Sequence, residues 1–191
     1  MKFRHVVTTL GFIALPAVAV AHTGHGAVDG FGAGLFHPFG GLDHLLAMLT
    51  VGLWAAMLGG SATWRVPTAF IVMLVTGAVL GLGGMQLPLV ESLLAASVLV
   101  LGLAVTLAWR APVYAGMALV GLFALFHGQA HGAEVPVAAD GLRYVAGMTL
   151  ASVVLHLSGF GIGHLLKQRP WLLRSGGVLV AGAGAWLAVS L

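Results

Sequence analysis

Long stretches of the chain carry no Asp, Glu, Lys or Arg: 44–64, 66–90, 92–109, 111–133, 144–166 and 175–191, with lengths of 21, 25, 18, 23, 23 and 17 residues. An α-helix needs about 20 apolar residues, within a range of about 17–25, to cross the hydrocarbon core of a bilayer. All six stretches fall in that window. They are apolar throughout rather than alternating, which excludes the strands of a β-barrel. Backbone groups in lipid find no water, so helix is the remaining conformation. The pattern therefore predicts an all-α integral membrane protein, a six-transmembrane-helix bundle forming one domain over residues 22–191.

The N-terminus reads differently. Lys2, Arg4 and His5 precede a short apolar stretch from Val6 to Val20, and Ala19-Val20-Ala21 has the small-x-small form of a cleavage site. This is the grammar of a secretory signal peptide, residues 1–21, whose removal leaves His22 as the mature N-terminus outside the cytoplasm.

Charge sharpens the topology. Only 7% of the 191 residues are charged, against about 25% in ordinary soluble domains, too few to cover a water-soluble enzyme. The eight basic residues are scattered, so no basic patch is offered to nucleic acid. There is no cysteine, which excludes disulfides, thiolate metal sites and thiol nucleophiles. With residue 22 outside, Arg65, Arg110, Lys167, Arg169 and Arg174 fall inside and Arg143 alone falls outside. Asp29, Glu91, Glu134 and Asp140 also fall outside, in keeping with the positive-inside rule. Trp64, Trp109 and Trp171 flank the inner loops, where indoles favour the interface. Gly77-x-x-x-Gly81, Gly128-x-x-x-Gly132 and Gly159-x-x-x-Gly163 predict close helix contacts.

Nine histidines in so apolar a chain mark the chemistry, because ionisable groups within membrane spans are costly and mark functional sites. The first cluster is His37-Pro38-Phe39-Gly40-Gly41-Leu42-Asp43-His44, followed by Met48. Pro38 suits the first position of a helix, so the first span is expected to start there. His37, His44 and Met48 then share a face. The second is His127-Gly128-Gln129-Ala130-His131-Gly132-Ala133-Glu134, two imidazoles at i, i+4 and a carboxylate one turn on, a metal-ligand spacing. By the charge topology both clusters lie at the outer end, at similar depth. His156 and His164, in the fifth span, form a weaker third group, read as a second or exit station or as imidazoles bonded to their neighbours. His22 and His25 offer a further chelating pair. Glu91 reads best as a solvated charge.

Imidazole and carboxylate without thiolate suit Ni²⁺, Zn²⁺, Co²⁺ or Cu²⁺, and the ligand types do not choose among them. No nucleotide-binding loop is present, so transport would draw on a gradient, the membrane potential or a separate partner. Two other classes compete: a membrane metal sensor or accessory subunit, and an intramembrane zinc-dependent hydrolase. The hydrolase lacks an H-E-x-x-H motif, and Ser158 lacks the Gly-x-Ser-x-Gly frame.

The run His37-Pro38-x-x-Gly41-x-Asp43-His44-x-x-x-Met48-x-x-Val51-Gly52 resembles the signature of the HupE/UreJ family of bacterial nickel permeases. Phe126-His127-Gly128-x-Ala130-His131-Gly132-x-Glu134 resembles that family's second motif. The resemblance implies uptake of Ni²⁺ across the bacterial inner membrane for hydrogenase or urease maturation. The ion would be cargo rather than a resident cofactor, and a homo-oligomer is compatible with it. It also implies a metal role for His37, Asp43, His44, His127, His131 and Glu134. Gln129 stands where a histidine often occurs in this family.

Overall fold

A computed structural model describes residues 30–135 and 139–191. The signal peptide expected over 1–21 and the candidate ligands His22 and His25 lie outside the described residues. Those residues form helices and no strand: α1 (Gly30–Phe36), a 3₁₀ turn (His37–Phe39), α2 (Leu42–Leu58), α3 (Ala62–Leu82), α4 (Val90–Thr106), α5 (Val113–Ala133), α6 (Gly141–Leu165) and α7 (Pro170–Val189).

The first span is not the continuous helix expected from Pro38. The chain bends by 80° between Gly30–Phe39 and Leu42–Leu58. Gly41 is the cause: it is extended, at φ −112° and ψ 125°, and stands as the N-cap of α2. Pro38 does occupy a first-turn position, but of the 3₁₀ turn rather than of α2.

Among the described residues, α3, α5, α6 and α7 are long and apolar enough to cross a membrane, and the bent pair of α1 and α2 makes a fifth if counted as one broken span. The third stretch expected, 92–109, corresponds to α4, which is apolar but only 17 residues long. Charge-free runs overestimate helix length because turns here are apolar too. Leu107 to Trp109 leave the helix through Ala108 at φ 50°. The run 44–64 likewise spends Gly59 and Gly60, at φ 71° and 55°, on the turn into α3, a conformation that glycine adopts without steric cost.

Packing follows the small residues. A Cβ on Gly128 would strike the Leu74 carbonyl and one on Gly132 the Ala78 carbonyl, while Gly77 and Gly81 meet the backbone of α5 at Leu125 and Gln129. Paired positions advance together, so α3 and α5 run parallel with their backbones in contact. The expected contact at Gly159 and Gly163 is also present, against Leu49 and Leu53 of α2. That makes α2 and α6 a second parallel pair. Gly102, Gly177 and Gly184 hold α4 against α7 in antiparallel register. Between the pairs lies an apolar core that includes Trp54, Phe70, Met48, Leu74, Leu101 and Met148, all fully buried. At one end, Trp54 Nε1 donates to the Trp109 carbonyl at 3.0 Å, and the two indoles stack at 5.5 Å. His37, His44, His127 and His131 collect at the opposite end.

Candidate metal centre

Three separate pieces of chain bring imidazoles to one point. His37 comes from the 3₁₀ turn, His44 from the first turn of α2 and His131 from the last turn of α5. One ring nitrogen from each lies within 4.8 Å of the other two. The ring centroids are 4.1 Å apart for His44 and His131 and 4.5 Å for His37 and His131. A tetrahedral ion with nitrogen ligands at about 2.0–2.1 Å holds those nitrogens roughly 3.3 Å apart, so a modest closing of side chains converts the cluster into a coordination set. The bend at Gly40-Gly41 is what returns His37 to this point. Close approach of α3 to α5 and of α2 to α6 encloses it.

His131 is fully buried, and neither of its ring nitrogens has a hydrogen-bond partner among the described residues. Leaving such a group unsatisfied costs about 1–3 kcal/mol. A buried orphan with two neighbouring imidazoles fits a cation, which would take up the free lone pair.

His127, expected among the ligands, stands one ring back. The Ser97 hydroxyl donates to the Leu94 carbonyl at 2.6 Å, and its oxygen lies 2.9 Å from His127 Nε2. His127 Nδ1 lies 3.1 Å from His44 Nδ1. With the Ser97 proton on the Leu94 carbonyl, these contacts are satisfied by one set of tautomers. Ser97 spends its proton on Leu94, so His127 Nε2–H donates to Ser97. His127 Nδ1 is then the acceptor, and His44 Nδ1–H is the donor. His44 keeps its lone pair on Nε2, free to bind an ion. A ligand histidine whose other nitrogen is fixed by hydrogen bonding is the usual arrangement around metals.

The two carboxylates also stand behind imidazoles. Asp43 Oδ2 is 3.3 Å from His44 Nδ1, and Glu134 Oε2 is 3.5 Å from His37 Nε2. Neither belongs to the three-nitrogen group. Glu134 is 57% exposed at its side chain and His37 31%, so this edge of the cluster faces outward from the bundle. Glu91 is exposed, as a solvated charge should be, yet it lines a small cavity of about 40 Å³ together with Asp43, Leu187 and Leu191.

The remaining candidates lie deeper or elsewhere. Met48 is fully buried, its sulfur 3.3 Å from the Ser152 hydroxyl, which donates to the Met148 carbonyl at 2.8 Å. His156 is buried in α6 with both ring nitrogens unpartnered among the described residues. His164 is exposed and stacks on Phe160 at 6.1 Å. Gln129 faces away from the cluster: its amide donates to the Met85 carbonyl at 2.9 Å and ties the loop after α3 to α5. Two contributors escape a reading of the sequence. Ser97 is one hydroxyl in an apolar run, and Tyr144, buried 5.6 Å from the His37 ring, reads as an interfacial tyrosine. A lone polar residue within a span is the available signal for Ser97.

Comparison with known proteins agrees with the motifs. Residues 10–187 match the family described as HupE / UreJ protein. The chain is 47% identical over 191 residues to Protein HupE of Rhizobium leguminosarum bv. viciae, covering 99% of this chain and 100% of that one. No solved structure matches. The chain belongs to the HupE/UreJ family.

Proposed function

We propose that this chain is a secondary permease for a divalent transition-metal ion, with Ni²⁺ the favoured cargo on the family resemblance. The observation that carries the reading is the convergence of His37, His44 and His131, with one nitrogen of each within 4.8 Å of the others. In this reading those three imidazoles capture the ion. His44 binds through Nε2, set by the hydrogen bond to His127 and by the Asp43 carboxylate 3.3 Å from its Nδ1. Glu134 and Asp43 offset the positive charge as it arrives, and His127 and Ser97 hold the geometry without touching the ion. A three-nitrogen set, open at the His37 edge, binds without trapping, as conduction requires.

The membrane arrangement belongs to the same proposal. Six helices cross the bacterial inner membrane, the bent α1–α2 pair and the short α4 each counting as one. Cleavage after Ala21 places the mature N-terminus outside, and the imidazole cluster then faces the periplasm. Initial rates of Ni²⁺ uptake into liposomes containing the purified chain test this. Saturable accumulation lost in His131→Ala and Asp43→Asn supports it. Metal binding without uptake assigns the chain instead to a metal-holding accessory role.

A further inference from the structure

Five imidazoles and one phenyl ring follow one another through the bundle. The His37, His131, His44 and His127 rings succeed each other at centroid distances of 4.5, 4.1 and 5.0 Å. Next comes Phe70 of α3, 6.2 Å from His127, and then His156 of α6, 4.9 Å from Phe70. Phe70 is fully buried and carries no donor or acceptor. On its far side, His156 is 3% exposed, and neither ring nitrogen has a partner among the described residues. It repeats the condition of His131, at a point that the three-imidazole cluster does not reach.

His156 is not sealed off. It lines a groove of about 410 Å³ between α3 and α6, with Thr63, Trp64, Pro67, Thr68 and Phe160 among the other walls. The groove runs toward the start of α3 and the end of α6, away from the cluster. Its α3 wall is more polar than its composition suggests. Pro67 lies inside the helix and has no N–H, so the Thr63 carbonyl four residues earlier lacks its helical donor. Thr68 is a second threonine on the same wall. One turn beyond Phe160, His164 reaches the exposed end of α6.

We infer that His156 is a second station for the same divalent transition-metal ion, separated from the capture cluster by the Phe70 ring and opening into the groove between α3 and α6. The inference rests on the permease reading. The ion leaves His44 and His131, passes when the Phe70 ring turns aside, and is taken by a lone pair of His156. Oxygen donors of the groove, the Thr63 carbonyl and the Thr68 hydroxyl, complete a loose set from which the ion departs toward His164. A phenyl ring between two nitrogen sites gives an apolar constriction of the kind that gates by excluding water.

The experiment separates capture from passage. In His156→Leu, the Ni²⁺ affinity of the capture cluster stays within about twofold, while uptake into liposomes falls at least about tenfold, the scale on which loss of a metal-supporting group is felt. A purely structural imidazole predicts unchanged uptake and equal or greater stability, since an apolar residue of similar volume removes two orphaned nitrogens from a buried position. Should His156→Leu fail to fold, His156→Cys decides. The protein has no cysteine of its own, so the introduced thiol reports alone. Ni²⁺ added outside should slow its alkylation by a small maleimide, and adding His131→Ala should abolish that protection. Normal uptake by both the wild type and His156→Leu overturns this inference alone, as does alkylation of His156→Cys that is indifferent to Ni²⁺ in an active chain. Absence of uptake by the wild-type chain overturns the permease reading and this inference with it.

Discussion

His44 Nδ1 and His127 Nδ1 face each other at 3.1 Å across the contact between α2 and α5. Two imidazole nitrogens at that distance share one proton, and with the Ser97 proton on the Leu94 carbonyl it sits on His44. The order of donation, from His44 to His127 to Ser97 to the Leu94 carbonyl, places the His44 lone pair on Nε2. A serine in α4 thereby sets the ligand atom of a histidine in α2.

Ser97→Ala tests that relay. The substitution removes the acceptor for His127 Nε2–H and frees the ring to change tautomer or rotate. Metal affinity should fall, by no more than the roughly 10–100-fold that losing a direct partner of a ligand histidine costs. Isothermal titration of the purified chain with Ni²⁺ measures it. Ser97→Thr keeps the hydroxyl and should keep most of the affinity. Unchanged affinity in Ser97→Ala would mean that His44 is oriented by Asp43 alone.

His131→Leu should separate stability from function. The imidazole is fully buried with both nitrogens unpartnered among the described residues, so a similar-sized apolar side chain removes a penalty of about 1–3 kcal/mol. Thermal unfolding of the metal-free variant should occur at or above the wild-type temperature, while Ni²⁺ no longer stabilises it. Metal-dependent stabilisation that survives the substitution would remove His131 from the site.

Packing offers a structural counterpart. A Cβ on Gly128 collides with the Leu74 carbonyl, whereas one on Gly161 meets nothing within 4 Å. Gly128→Ala should therefore cost about 1–3 kcal/mol or more, as overpacking does, by forcing α3 away from α5. It should disturb His127 and His131 with it. Gly161→Ala should be close to silent. Comparing the midpoints of the two variants in a thermal unfolding series gives the contrast directly.

The charge-free runs carry most of the architecture, because lipid demands long apolar helices and tolerates few exceptions. What they do not carry is the break at Gly40-Gly41. An unbroken helix would put His37 and His44 on one face, two turns apart. In the structure they meet because the chain bends by 80° between them. Convergence of the two motifs is legible from topology and depth. The different positions of His127 and His131 are not, since both lie at helical spacing on one segment. Only the arrival of Ser97 from α4 distinguishes a ring held by hydrogen bonds from a ring left open. Glu91 shows the same limit: its exposure is readable, its shared cavity with Asp43 is not.

Acidity should act on capture through the imidazoles. A ligand histidine binds an ion only when neutral, and the ordinary imidazole pKa is about 6.5. Acidifying the outside lets protons compete for the nitrogens of His37, His44 and His131, so binding and initial uptake should fall together. The sign is fixed: metal binding releases protons, and affinity rises with pH until the three rings are neutral. Proton-coupled import predicts something else, faster uptake when the outside alone is acidic. Initial rates in liposomes at matched pH on both sides, and then with the outside acidified alone, distinguish them. Acceleration at matched acidic pH would count against histidine capture. Acceleration that appears only with a gradient would place a proton carrier beside the site, and Asp43→Asn and Glu134→Gln would show which carboxylate bears it.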